Sequence, residues 1–381
     1  MAWAEAALRR RQRTALGSSR AVEHGSVEDE GRTTMVGTIP VAQRRGDVRA
    51  RGRRERRRLI QTGLALAGLS LLTGCGLLPP PAPNSPKTPR VGFLAPTPDD
   101  NPLFIRGLAD RGYVEGRDID IEYRYAGETV DQFLPRAAEL VDLPVDLIVT
   151  TGTPAATAAK RSTTAIPIVM VQVADPVGSG LIASLARPGG NITGTINFGP
   201  ILSGKRLELL NEVIPGLARV AIIWSPDNPA TRTHVDETRR ATQALGIGLQ
   251  SLEVRGADDL SGAFEAAGRE HAQAAIIPRN GFSNANRTVL IELAARSHLP
   301  AIFVGRDFAA EGGLMAFGAQ QAEMYTRLAA AVERILKGAR PADLPVEQPT
   351  MFELVVNLKT AQALGLTMPQ SVLTQATEVI Q

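Results

Sequence analysis

The residues of this chain that could bind a small ionised molecule follow short apolar runs, at the points where a strand would end. Thr151, Gly152 and Thr153 come directly after the run 145–150 and open a segment of helical composition. Hydroxyls beside the first amides of a helix can hold a carboxylate, because those amides lack partners within the helix. Asp175 follows another apolar run and could accept hydrogen bonds from an ammonium group. The alternative is that Thr153 and Asp175 are ordinary caps.

The wider set of candidate residues lies at or shortly after the end of a predicted strand. In open α/β sheets, ligands bind beyond the carboxyl ends of the strands. Trp224 and Phe282 are the aromatic residues nearest to such positions, so they are the candidates for stacking against a ring. The predicted ligand-binding residues are Thr97, Thr151, Gly152, Thr153, Asp175, Trp224, Asn280, Phe282 and Asp307.

Enzymatic motifs are incomplete in this sequence. The segment from Gly199 to Arg206 resembles a phosphate-binding Walker loop, but Arg206 stands where the motif requires Ser or Thr. The segment from Gly281 to Ala285 is one residue short of a nucleophile elbow. The four histidines form no HExxH motif and no cluster with metal-ligand spacing. We therefore predict no enzymatic activity, no catalytic or metal-binding residue and no cofactor.

Apolar, β-branched runs alternate with segments of helical composition from about residue 90 onwards. Strands are predicted at 90–95, 119–125, 145–150, 166–171, 219–224, 248–254, 274–278, 301–304 and 313–317. Helices are predicted at 101–111, 129–141, 229–245 and 321–336, and from residue 154. This alternation predicts an α/β fold with parallel sheets covered on both faces. Because the pattern restarts near residue 219, it predicts two lobes of roughly 110 to 130 residues each.

Cys75 is the only cysteine, and the residues before it have the three parts of an export signal. The basic segment 53–58 precedes an apolar run, 59–72, and Thr73 and Gly74 lead into the cysteine. This is the lipobox pattern of bacterial lipoproteins, in which the cysteine sulfur carries a diacylglycerol. The apolar run is shorter than the roughly 20 residues that span a bilayer. The segment 59–75 is therefore predicted to be a lipoprotein signal. It would direct export by either the general secretory or the twin-arginine route.

The segments on either side of this signal have biased compositions. Residues 1–58 carry 15 Arg and no Lys, with a net charge of +8, and are predicted to be a basic disordered extension or a gene start placed too far upstream. A nucleic-acid-binding arm is the alternative for this segment. Residues 76–89 are rich in proline and are predicted to be a semi-rigid linker. Since the whole chain has a net charge of +3, the remainder carries −5, and it gives no reason to expect nucleic-acid binding.

Several motifs between residues 90 and 381 occur in the order found in one protein family. They are Gly112-Tyr113-Val114-Glu115-Gly116-Arg117, Ala174-Asp175-Pro176-Val177 and the segments 187–194, 344–349, 352–357 and 363–366. Together they resemble the ABC transporter substrate-binding protein family that includes tryptophan- and tyrosine-type binding proteins.

The resemblance implies a periplasmic-binding-protein type I fold, in which two Rossmann-like lobes are joined by three crossovers. We expect these crossovers near residues 195–199, 317–320 and 345–353. Lobe one then contains residues 90–196 and 318–346, and lobe two contains residues 197–317 and 347–381.

The resemblance also implies a function. Together with the lipobox at Cys75, it predicts a lipid-anchored solute-binding protein on the periplasmic side of the bacterial envelope, which captures a small molecule such as an amino acid between its lobes. The implied partners are that ligand, an ABC import permease and membrane lipid through Cys75, with no nucleic acid. A ligand sensor that signals to a membrane partner without transport is the alternative. The effector domain of a repressor would need a DNA-binding helix pair before residue 90, where the lipobox stands instead.

Overall fold

The computed structural model describes residues 88–98, 101–127, 129–199 and 201–381. The predicted segments 1–58 and 59–75, Cys75 and most of the linker 76–89 lie outside the described residues. No helix within the described residues is long and apolar enough to cross a membrane.

The described residues form strands and helices in alternation. The strands are β1 (Arg90–Ala95), β2 (Asp120–Tyr125), β3 (Leu147–Thr151), β4 (Ile168–Val173), β5 (Ile192–Ile196), β6 (Arg219–Trp224), β7 (Gly248–Glu253), β8 (Ala274–Ile277), β9 (Ala301–Phe303), β10 (Met315–Ala319), β11 (Phe352–Asn357) and β12 (Glu378–Ile380). The helices are α1 (Asn101–Ala109), α2 (Phe133–Val141), α3 (Gly152–Ser162), α4 (Ser203–Val213), α5 (Pro229–Leu245), α6 (Asp259–Arg269), α7 (Gly281–Ala285), α8 (Arg287–Arg296), α9 (Arg306–Ala310), α10 (Gln321–Leu336), α11 (Leu358–Ala363) and α12 (Gln370–Gln375). Short 3-10 helices cover Val130–Gln132 and Pro341–Asp343.

The first sheet has the strand order β2-β1-β3-β4-β5, and all its strands run parallel. Its central strands are almost fully buried, as expected for a parallel sheet covered on both faces. On one face α1 and α10 pack together, and Phe93, Phe104 and Tyr325 meet in a single core. On the opposite face α2 packs closely, because Gly92 has no side chain: a Cβ there would lie 3.1 Å from a methyl group of Leu140.

The second sheet has the strand order β12-β11-β10-β9-β8-β6-β7. One core lies on the side of Phe264 and Ala316, and another lies on the side of Leu207 and Met315, so this sheet is also covered on both faces. The predicted α/β fold with two lobes is confirmed. Its sheets are parallel with one exception, because β10 and β11 run antiparallel, with Met315 opposite Val356.

Most predicted elements lie where the sequence indicates. β1, β6, α5 and α10 cover exactly the residues predicted for them, and other boundaries shift by a few residues. The sequence does not predict β5, β11 or β12. β10 continues to Ala319, two residues beyond the predicted end, so it carries the second sheet past the predicted lobe boundary at residue 318.

The chain passes between the lobes three times. It does so between β5 and α4, between β10 and α10, and between the 3-10 helix Pro341–Asp343 and β11. The first and third crossovers lie side by side, because the Ile196 amide donates to the Glu347 carbonyl (3.1 Å) and the Glu347 amide donates to the Gly194 carbonyl (2.8 Å). The Gln320 amide donates to the Met351 carbonyl (3.0 Å), which joins the second crossover to the third.

A buried carboxylate reinforces this connection. Glu323, in the first turn of α10, accepts hydrogen bonds from the Met351 amide (2.8 Å), from the amide and hydroxyl of Thr350, and from the Arg327 guanidinium (2.7 Å). Arg327 also pairs with Glu347 (2.7 Å). Burial raises the pKa of Glu323, but the hydrogen bonds from Thr350, Met351 and Arg327 outweigh it, so the pKa lies below its ordinary value.

The strand β5 depends on a glycine at a close approach to β4. Gly194 has φ +137° and pairs with Met170 at the point where the β4–β5 register shifts. A Cβ at Gly194 would lie 1.9 Å from the Met170 carbonyl oxygen, so any side chain would force the two backbones apart.

We predict that Gly194→Ala lowers the free energy of unfolding by about 2–4 kcal/mol, because it adds both backbone strain and a steric clash. Gly190→Ala is the matched control: Gly190 lies in the turn just before β5, and a Cβ there meets no atom within 4 Å. Urea denaturation of the purified chains gives both values. Equal stabilities for the two variants would contradict the prediction.

Candidate functional site

A cavity lies between the two lobes at the carboxyl ends of their strands. About 780 Å³ of empty space, a figure that includes open solvent, lies among its lining residues, which come from segments after β1, β2, β3, β4, β5, β6 and β8. The lobes touch at its edge, because Gly281 lies so close to Pro96 that a Cβ there would be 3.0 Å from the Pro96 Cβ. This is the location that parallel α/β sheets favour for a ligand.

The lobe-one wall contains the open N-terminus of α3. Gly152, with φ +84°, makes the sharp turn from β3 into the helix, and Thr151 provides no side-chain cap. The hydroxyls of Thr151 and Thr153 are buried and have no hydrogen-bond partner, although each residue is only 4% exposed. Because the helix N-terminus carries partial positive charge, these free amides and hydroxyls together suit a carboxylate.

The floor of the cavity is shaped by a bulge in β4. Gln172 has φ +59°, a conformation that non-glycine residues rarely adopt and that concentrates at functional sites. Its backbone carbonyl accepts from the Asn197 amide group (3.1 Å), and the Asn197 side-chain oxygen accepts from the Gly199 amide (2.9 Å). These bonds place Asn197, in the first crossover, on the cavity wall.

The lobe-two wall contains two helix N-termini that the protein caps itself. The Asn228 side chain accepts from the Ala230 amide (3.0 Å) at the start of α5. Asn280 and Ser283 form a reciprocal capping box at the start of α7, with distances of 2.8 and 2.9 Å. The Asn284 side-chain oxygen nearby is buried and has no partner. Lobe two therefore offers single polar atoms, whereas lobe one offers an uncapped helix.

Two aromatic rings line the cavity from opposite lobes. Phe133 belongs to α2 and Phe282 to α7, and both are buried. They provide apolar surface on both sides of a bound molecule, and a ligand ring could pack against them.

His234 lies in the second turn of α5 and lines the cavity. It is 4% exposed, and no hydrogen bond to its ring occurs within the described residues. Burial lowers the pKa of His234 to about 3, and the positive charge of Arg206 contributes to this. At neutral pH the imidazole is therefore uncharged and presents one donor and one acceptor nitrogen.

Charged groups around the cavity are few. Asp227 lines it and is exposed, in a loose contact with Arg255 (3.4 Å). Arg279 also lines it, but Arg279 donates to Asp307 (2.7 Å), which accepts from Arg287 as well (3.1 Å).

The structure brings five of the predicted ligand-binding residues together on the cavity lining: Thr151, Gly152, Thr153, Asn280 and Phe282. The other four lie off it. Thr97 follows the lining residue Pro96, and Asp307 lies behind Arg279.

The side chains of Asp175 and Trp224 form hydrogen bonds within the protein, away from the cavity lining. An Asp175 side-chain oxygen accepts from the Gly178 amide (2.8 Å) within its own turn. The Trp224 indole donates to the Ser251 hydroxyl (2.9 Å), and its ring packs in the core beside Val235. The cap alternative thus describes the observed bonding of Asp175.

Some lining residues are absent from the predicted set because they do not directly follow a predicted strand. His234 is in the interior of a helix, and Asn197 follows β5, which the sequence does not predict. Asn228 did carry a signal, since an Asn before Pro229 is a typical helix start.

Comparisons with known proteins agree with this fold. Residues 103–380 match the family model for ABC transporter substrate binding proteins. A protein described as a tyrosine-binding protein, from Clostridioides difficile strain R20291, is 25% identical over 263 residues, which is 69% of this chain and 75% of that protein. These matches confirm the resemblance that the sequence motifs indicate.

Solved structures agree as well. A domain in complex with L-Trp from Streptococcus pneumonia has a TM-score of 0.72 and 25% identity, covering 77% of this chain and 100% of that one. A conserved domain protein from Vibrio cholerae has a TM-score of 0.73, the same identity and the same coverage. A ligand-free, open substrate-binding protein from Clostridium difficile, at 21% identity and a TM-score of 0.57, shares the fold; the alignment covers 77% of this chain and 99% of that one.

We predict that His234 makes the stability of the protein depend on pH. The unfolded chain binds a proton at this histidine near pH 6.5, but the folded chain does so only near pH 3. The stabilising contribution is therefore complete above pH 6.5 and is lost as the pH falls towards 3.

Between pH 7 and pH 4 the wild type should lose about 3 kcal/mol more free energy of unfolding than His234→Gln, which has no ionisable group at this position. Urea denaturation at the two pH values measures the difference. Parallel losses in both proteins would show that His234 does not titrate in this way.

Proposed function

Because the chain belongs to the ABC transporter substrate-binding protein family, we propose that it captures an amino acid between its lobes, with tyrosine and tryptophan as the first candidates. The observation that carries this proposal is the uncapped start of α3, where two buried threonine hydroxyls lack partners. Buried polar groups without partners are rare in native proteins, so a site that leaves several of them together favours a polar ligand.

The other parts of an amino acid have matching groups on the lining. The exposed carboxylate of Asp227 can accept from the ligand ammonium, and Asn284 has a free oxygen nearby. An aromatic side chain would pack between Phe133 and Phe282. The tyrosine-binding relative and the tryptophan-bound neighbour support this choice of ligand class.

Capture follows from the position of the ligand between the lobes. A molecule that contacts α3 in lobe one and α5 or α7 in lobe two stabilises the closed form relative to an open one. The shift towards the closed form equals the difference between its affinities for the two forms. The three crossovers are the segments about which the lobes would turn.

Delivery and location complete the proposal. Substrate-binding proteins of this family act outside the cytoplasm and are not enzymes, and the loaded closed form would dock on an ABC import permease. Cys75 would carry the lipid anchor, and the proline-rich linker 76–89 would hold the lobes away from the membrane surface.

We predict that Thr153→Val lowers the affinity for the amino acid by roughly 10- to 100-fold, because it removes a hydrogen bond to a charged carboxylate. Thr157→Val is the matched control, since Thr157 lies one turn further along α3 and does not line the cavity. Calorimetric titration of the purified chain with L-tyrosine and L-tryptophan measures the change. An unchanged affinity in Thr153→Val would remove this hydroxyl from the site.

We predict that Cys75→Ser moves the protein from the membrane fraction to the soluble fraction of the cells that export it, because serine cannot form the thioether. Fractionation followed by immunodetection gives the distribution. Mass spectrometry of the wild type should find a diacylglyceryl group on Cys75. Recovery of the serine variant in the membrane fraction would rule out lipid anchoring through this residue.

A further inference from the structure

Arg206 is a buried cation without a carboxylate partner. It lies in the first turn of α4 and is 0% exposed. Its guanidinium donates to the Phe317 carbonyl (2.9 Å) through Nε and to the Gly199 carbonyl (2.8 Å) through Nη1. Nη2 is buried and has no hydrogen-bond partner. Among the residues that the structure describes, no Asp or Glu forms an ion pair with it.

Such an arrangement is costly for a protein. A buried charge is ordinarily paired with an opposite charge, since desolvation is otherwise uncompensated. Burial lowers the pKa of Arg206 to about 9, which still leaves the side chain charged at neutral pH. Two backbone carbonyls satisfy part of the guanidinium but contribute no net negative charge.

Arg206 lies directly behind the cavity wall. Gly199 lies between Arg206 and His234. Its carbonyl accepts a hydrogen bond from Arg206, and a Cβ on it would lie only 2.6 Å from Cε1 of His234. The charge of Arg206 also acts on His234, whose ring lines the cavity. A neutral imidazole without a partner therefore separates the buried cation from the ligand space.

The opposite wall is electropositive as well. α3 of lobe one and α5 of lobe two are in contact across the cleft, and the start of α3 lines the same cavity as His234. Without an anion, the partial positive charge of the α3 N-terminus and the full charge of Arg206 oppose each other when the lobes close. An anion between them reverses the sign of this interaction.

We propose that Arg206 is the counter-charge of the ligand carboxylate: the carboxylate lies between the first turn of α3 and the His234 imidazole, and it supplies the negative charge that the protein does not provide. The inference rests on the proposed capture of an amino acid and adds a positioning residue on lobe two. It also makes closure depend on the charge of the ligand, because only an anion joins the two electropositive walls.

The test compares an amino acid with its amide, which keeps the ring and the ammonium group but loses the negative charge. The purified full chain is titrated calorimetrically at pH 7 with L-tyrosine, L-tryptophan, L-tyrosinamide and L-tryptophanamide. The wild type should bind the acid at least about 100-fold more tightly than the amide. In Arg206→Gln the affinity for the acid should fall by roughly 30-fold or more, the scale of a broken buried charge pair, whereas the affinity for the amide should stay within about twofold.

Three further variants make the result specific. Arg206→Lys keeps a positive charge and should keep most of the preference for the acid. Lys205→Met removes a charge from the neighbouring residue, which pairs with Glu208 instead, and should change neither affinity. Arg206→Met replaces Arg206→Gln if the glutamine variant does not fold, and the same loss of preference for the acid is expected.

Equal losses for acid and amide in Arg206→Gln would mean that Arg206 only ties the crossovers together, and this would overturn the inference. An unchanged affinity for the acid would overturn it too, while leaving amino-acid capture intact. If the wild type binds neither amino acid, the proposed function is wrong, and acetate then tests the anion subsite by thermal shift. A shift in the wild type but not in Arg206→Gln supports the subsite, and no shift in either protein overturns it.

Discussion

The buried carboxylate of Glu323 is the interaction on which the geometry of the cleft depends. It lies where the chain enters lobe one for the second time, and it accepts hydrogen bonds from the segment through which the chain leaves again. Arg327 extends this cluster to Glu347, whose backbone pairs with β5 and the first crossover. A buried carboxylate is tolerated when its oxygens are hydrogen-bonded, and here they join α10 to the third crossover. The walls of the cavity keep their positions because these segments do.

The two walls use the same kinds of residue for different purposes. In lobe two, Asn228 and Asn280 satisfy the first amides of their helices, so those helix starts are internally complete. In lobe one, the hydroxyls of Thr151 and Thr153 have no partner within the protein. Polar side chains stand at helix starts in both walls, and only the bonding pattern distinguishes a side chain that caps its own helix from one without a partner within the described residues.

The sequence predicts the buried strands better than it predicts the residues of the candidate site. Runs such as Arg90–Ala95 and Arg219–Trp224 are apolar enough to identify buried strands by themselves, so the α/β fold and most boundaries could be predicted. The strand Ile192–Ile196 could not, because it is short, contains Gly194 and depends on pairing with β4 and the third crossover. Thr151 and Asp175 both lie near the carboxyl end of a strand, yet the Thr151 hydroxyl has no partner within the described residues, whereas the Asp175 side chain accepts a hydrogen bond within its own turn. His234 and Arg206 are buried on either side of Gly199, an arrangement of the tertiary structure that a linear pattern does not encode.

The antiparallel pairing of β10 and β11 has a mechanical consequence. Ala319 pairs with Phe352 where both strands meet the crossovers, so the second and third connections leave the sheet as adjacent, oppositely directed backbones. Two such strands cannot slide along each other without breaking the hydrogen bonds between them. The second and third connections therefore form one two-stranded ribbon between the lobes and are not two independent hinges.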